Sequence, residues 1–125
     1  MISFVHDLPA QRVVFAPGAI ARVAEEAARL GFNRALVIAT PGSGARLGGR
    51  LVEILGARAA GLHALASLHV PKPVAEAGVA AARGADGLVA AGGGAAIGLA
   101  KIIARDLGLP ILAVPTTYSG SEARA

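Results

Sequence analysis

Leu88-Val89-Ala90-Ala91-Gly92-Gly93-Gly94-Ala95-Ala96-Ile97-Gly98-Leu99-Ala100-Lys101 is the stretch that decides the fold. Leu88–Ala91 is a short uninterrupted apolar run, the pattern of a strand buried on both faces. The three glycines Gly92, Gly93 and Gly94 break it, and helical spacing then holds from about Ala95 to Leu107, where Gly108 ends it. A second apolar run, Pro110-Ile111-Leu112-Ala113-Val114-Pro115, follows at once. Two fully apolar strands joined through a helix require a crossover, and so lie parallel in one sheet.

The same unit repeats upstream. Arg12–Phe15 reads as a strand closed by the turn Pro17-Gly18. Ala19–Leu30 places Ile20, Val23, Ala24, Ala27 and Leu30 on one helical face, opposite Arg22, Glu25, Glu26 and Arg29, and Gly31 stops it. Ala35–Ala39 is another doubly buried strand, and Thr40-Pro41-Gly42-Ser43-Gly44 leads into a helix carrying Leu47, Leu51, Val52 and Leu55. A third strand is expected within 61–67, with His69-Val70-Pro71-Lys72-Pro73 as a stiff extended connector, because each proline restrains the residue before it. Val74–Arg83 is the next expected helix, and Gly84-Ala85-Asp86-Gly87 the turn into Leu88. The fold class is therefore α/β, a Rossmann-like doubly wound parallel sheet, in one domain with no repeat and no linker.

Composition narrows the function. The chain has 125 residues, of which 54% are hydrophobic, enough for a buried core. No apolar run approaches the length of a membrane span, and Met1–Asp7 lacks the basic flank and apolar stretch of a secretory signal, so a cytoplasmic location is expected and no membrane partner. Cysteine is absent, which rules out disulfides and thiolate metal sites. The net charge of +4 is spread over scattered arginines, and aromatics make up only 3%, so a nucleic-acid partner is not expected.

In open parallel sheets ligands bind where strand tips feed helix N-termini, and three loops have that position. Gly92-Gly93-Gly94 would let a phosphate reach main-chain amides at a helix start. It is not a full G-x-G-x-x-G, since Ile97 stands at the third glycine, and not a P-loop, since Leu99 and Ala100 replace Lys and Ser/Thr. On composition alone a tight structural turn fits as well. Thr40–Gly44 could bound an adenine ribose or be an ordinary turn, and no Asp or Glu ends its strand to hold a ribose 2′-hydroxyl, so NADH and NADPH both stay open. Thr116-Thr117-Tyr118-Ser119-Gly120-Ser121-Glu122 carries more hydroxyls than a turn needs, suited to phosphates and ribose, with Tyr118 able to stack; a plain polar loop is the alternative.

Gly92–Lys101 together with Val114–Glu122 resembles the iron-containing alcohol dehydrogenase superfamily, and Val13–Gly18 resembles its opening strand and turn. Gly98, where the alcohol dehydrogenases usually carry aspartate, and the shorter Thr-Thr loop make the chain most similar to the maleylacetate reductase branch. The resemblance implies that residues 1–125 are an incomplete N-terminal NAD(P)-binding domain, lacking an all-helical C-terminal catalytic and metal domain. It implies NAD(H) or NADP(H) as cofactor, a maleylacetate-like substrate reduced to 3-oxoadipate in aromatic compound degradation, and no activity for these residues alone; a homodimer is expected from the unprotected edge left where the parent sheet should gain another strand. By the same resemblance Gly93, Gly94 and Ala95 face the pyrophosphate. Thr116, Thr117, Tyr118 and Ser119 line the adenosine side, and Gly42 closes the adenine end. A metal-dependent alcohol dehydrogenase of the same superfamily, or a non-catalytic nucleotide-binding or oligomerisation module, are the other readings.

Two departures stand out: Ala95 replaces the usual serine, and Ala123-Arg124-Ala125 does not continue the family's pattern. No catalytic residue can be assigned and no metal ligand is expected. His6, His63 and His69 have no partner spacing, and His63 reads as a partly buried strand residue. Asp86 reads as a turn residue, and Lys101 lies too far along its helix to meet a phosphate at the helix start.

Overall fold

Alternation of apolar strands with one-sided helices produces a single parallel sheet in the computed structural model, which describes residues 11–13, 19–66, 72–92 and 94–114. The elements are β1 (Gln11–Val13), α1 (Ala19–Arg29), β2 (Ala35–Ala39), α2 (Ser43–Leu55), β3 (Ala59–His63), α3 (Lys72–Ala82), β4 (Gly87–Ala91), α4 (Gly94–Leu107) and β5 (Ile111–Val114), with a 3₁₀ turn over Gly56–Arg58. All strand pairings are parallel and the order is β1-β5-β4-β2-β3.

The side-chain period of two sorts each strand between two cores. Leu36, Ile38, Leu88, Ala90 and Ile111 face α3 and α4, packing on Val79, Ala82, Leu99, Ala100 and Ile103. Ala35, Val37, Ala39, Val89, Ala91, Leu112 and Val114 face the other way, onto Val23, Ala27, Leu51 and Leu55 of α1 and α2. Every residue of β2, β4 and β5 is buried, as their unbroken apolar runs predict. Each fully buried Val, Leu or Ile contributes about 1.5–3 kcal/mol of transfer free energy. The Phe32 ring lies over the Cα of Gly87, where any Cβ would collide with it. That close approach is why β4 opens on glycine.

Several boundaries differ from the sequence reading. β3 starts at Ala59 rather than Gly61. It is an edge strand whose exposure alternates, so its weakly apolar first residues gave no strand signal. α3 begins at Lys72, two residues early, because Pro73 sits in the first turn, where its missing N–H costs nothing. Lys72 and Pro73 of the expected stiff connector thus belong to the helix, and His69, Val70 and Pro71 lie outside the described residues. Val14 and Phe15 of the expected first strand also lie outside them. Asp86 does more than turn the chain: its carboxylate accepts the N–H groups of Asn33 (2.7 Å) and Arg34 (2.9 Å), tying the starts of β2 and β4 together. Its own N–H donates to the Arg34 carbonyl at 2.9 Å.

Candidate functional site

The strand order sets the site. From β2 the chain leaves through α2 toward β3 on one side, while from β4 it leaves through α4 toward β5 on the other. α2 and α4 pack on opposite faces. The reversal between β2 and β4 is a topological switch point, and it is in the crevice outside the carboxyl ends at such a point that doubly wound sheets take ligands. Register brings the tips level. Ala39 pairs with Ala91, and Ala91 with Val114, so the three residues form one row. Gly92 N–H donates to the Val114 carbonyl at 3.0 Å, and Ala66 N–H closes back on the Ala39 carbonyl at 3.1 Å.

Two of the three sequence-selected loops are described at this edge. Gly42 is exposed and caps α2 with φ +77°, a left-handed value that disfavours other residues. Its carbonyl accepts from Ala45 and Arg46, and the amides before them have no intrahelical acceptor, as at any helix start. Thr40 lies with its side chain against the Cα of Gly44, so glycine at 44 is what lets the loop fold in tightly. At the second loop Gly92 is buried with φ +117°. Gly94 opens α4, exposed, and a Cβ built there meets nothing within 4 Å. Packing within the described residues does not require glycine at 94. Ala95 follows half-buried. Gly93, Thr116, Thr117, Tyr118 and Ser119 lie outside the described residues; the last four follow Val114, the β5 member of the row.

Other polar groups are peripheral. Lys101 is exposed on α4, three residues after Gly98, whose Cα is also open to space. His63 ends β3 partly buried, its Nε2 enclosed without a hydrogen-bond partner, and desolvation holds its pKa below the ordinary histidine value. Among the described residues no three His, Asp or Glu side chains come together in a way that could hold a metal ion. Among them too, no helix is long and apolar enough to cross a membrane. Sequence reading missed the Asp86 clasp because its partners stand 53 and 52 residues away.

Comparison with known proteins agrees with this architecture. The chain is 47% identical over 123 residues to a maleylacetate reductase of Pseudomonas knackmussii, an alignment covering 97% of this chain and 35% of that protein. The crystal structure of maleylacetate reductase from Agrobacterium tumefaciens superposes with a TM-score of 0.80 at 44% identity, over 92% of this chain and 33% of that one. That of the enzyme from Rhizobium sp. strain MTP-10005 gives 0.79 at 45%, over 91% and 33%. The chain thus spans about a third of the length of the relatives it matches. The model of the iron-containing alcohol dehydrogenase family matches residues 10–125, nearly all of the sequence, and the chain belongs to that family.

Proposed function

We propose that these residues are the dinucleotide-binding part of a maleylacetate reductase-like oxidoreductase, holding NADH or NADPH across the crevice between β2 and β4. The observation that carries this is the single row Ala39, Ala91 and Val114, from which all three candidate loops depart together. In this reading Gly93, Gly94 and Ala95 offer main-chain amides to the pyrophosphate, aided by the positive end of α4. Gly42 closes the adenine end, and Thr116, Thr117, Tyr118 and Ser119 line the ribose. When bound, the dinucleotide supplies a hydride for the double bond of maleylacetate. This chain's own residues bind and orient; donors that stabilise the resulting enolate belong to the remaining two thirds of such enzymes. The family's name implies iron, and the described residues offer no ligand set that fits it.

Titrating the 125-residue chain with NADH or NADPH, followed by nicotinamide fluorescence, tests the reading. Saturable binding is expected, without oxidation when maleylacetate is added. Gly94→Val should fold normally, since its side chain enters open space, yet lose at least about tenfold in affinity as the phosphate is kept off the amides. Equal binding by this variant and the parent would remove the pyrophosphate from this loop.

A further inference from the structure

We infer that β3 is a self-pairing edge, and that two copies of this chain join their sheets through antiparallel β3 strands about a two-fold axis at Leu62. The inference does not depend on the dinucleotide reading. Among the described residues β3 has a strand neighbour on one side only, β2. Its outer side therefore offers a row of main-chain N–H and C=O groups to another strand, a row that proteins ordinarily guard with a lysine, a proline or another charge. Ala59–Ala66 reads Ala-Ala-Gly-Leu-His-Ala-Leu-Ala and carries none of these guards, and its one titratable side chain, His63, is partly buried. A register shift against β2 falls at the start of the strand, and pairing is regular from Gly61 to His63. The exposed large apolar side chains among the described residues are both on this stretch, Leu62 at 39% and Leu65 at 55%.

Spacing and charge select a second copy as the occupant. α2 packs on β2 and β3, so its axis lies about 5 Å from a two-fold set half a strand spacing outside β3. The two α2 helices would then stand about 10 Å apart, the distance at which helices pack. Leu47 and Ile54 turn toward the cluster that includes Val23 and Ala27 of α1. Gly49 stands about 200° round from Leu47, on the flank toward β3, and a Cβ there meets nothing within 4 Å. Along the strand, a Cβ on Gly48 would come 2.6 Å from Leu62 Cδ1, so an axis through paired Leu62 residues passes close to Gly48 and Gly49. Arg46 and Glu53 lie on either side of that level, both exposed and without an ion-pair partner among the described residues. Antiparallel helices bring Arg46 of one copy opposite Glu53 of the other, twice by symmetry. Arg50 is also exposed, but it lies further round, on the α1 side of Arg46.

Sedimentation velocity of the 125-residue chain over a concentration series should show a reversible dimer. Leu62→Lys places a guarding charge on the edge and should weaken that dimer at least about tenfold. Its long stem still covers Gly48, so its far-UV circular dichroism should match the parent. Glu53→Arg should weaken the dimer roughly threefold or more at low salt, and adding Arg46→Glu should restore it. The chain has no cysteine, so Leu62→Cys supplies a single thiol, with Cβ atoms about 5 Å apart across the axis. Mild oxidation should convert this variant to a disulfide dimer, while Glu76→Cys, exposed on α3, stays monomeric on the same non-reducing gel. A chain that is monomeric at every concentration, or a dimer indifferent to Leu62→Lys, would overturn the inference. So would equal disulfide yields from the two cysteine variants, or a double charge reversal no tighter than Glu53→Arg alone.

Discussion

At the scale of single residues, Asp86 carries more of the fold than its place in a glycine-flanked turn suggests. Its two carboxylate oxygens each accept a main-chain N–H, from Asn33 and Arg34, and the Arg34 side chain donates in turn to the Gly84 carbonyl at 3.2 Å. Nearby, Arg58 donates to the Phe32 carbonyl at 2.9 Å. These bonds fix the entry of β2 against that of β4, upstream of the register that levels their tips. Hydrogen bonds to a charged acceptor are worth more than neutral ones, but these are solvent-exposed, so Asp86→Ala should cost about 1–3 kcal/mol. Asp86→Asn keeps one acceptor oxygen and should cost less. Urea unfolding midpoints measure both, and equal losses for the two variants would contradict the two-acceptor clasp. The sequence shows Asp86 only as a turn former, because a partner more than fifty residues away leaves no local trace.

Among whole elements, legibility followed burial. β2, β4 and β5 are buried throughout and stood out as apolar runs, whereas β3, an edge strand exposing Ala60 and Leu62, blended into its surroundings. Helix packing adds a distinction that composition cannot show. Gly78 and Gly98 both sit inside helices and should gain up to about 1 kcal/mol of helix propensity on replacement by alanine. A Cβ on Gly98 meets nothing within 4 Å, whereas one on Gly78 comes 2.9 Å from Ile103 Cδ1 and 3.4 Å from Leu99 Cδ1. Ile103 and Leu99 are fully buried and cannot yield freely, so overpacking of about 1–3 kcal/mol outweighs the gain at 78. Gly98→Ala should therefore stabilise and Gly78→Ala destabilise, read as opposite shifts in the unfolding midpoint. A shared sign would mean that α3 and α4 do not meet at Gly78.

The molecule as a whole has two unlike ends. Parallel connections put every loop that follows a strand at one end and every loop that precedes one at the other. The doubly wound class was readable from alternating runs and glycine stops, but strand order was not, because crossing from β3 over β2 to β4 depends on which helix covers which face. That order makes the switch point between β2 and β4, and it separates the proposed dinucleotide site from the Asp86 clasp by the length of the strands. A ligand that binds only the folded chain stabilises it by about 2.7 kcal/mol at a hundred times its Kd. In a domain of this size that corresponds to a rise in Tm of roughly 10 °C. Sites at opposite ends with no shared partner should act additively, to within about 0.5 kcal/mol. Saturating dinucleotide should thus raise the Tm of the parent chain and of Asp86→Ala by nearly the same amount, although the variant starts lower. Differential scanning fluorimetry, with each protein at a fixed multiple of its own Kd, reads both increments. A Tm indifferent to the dinucleotide would contradict binding to the folded state. An increment that disappears in Asp86→Ala would show that the two ends are coupled through the sheet.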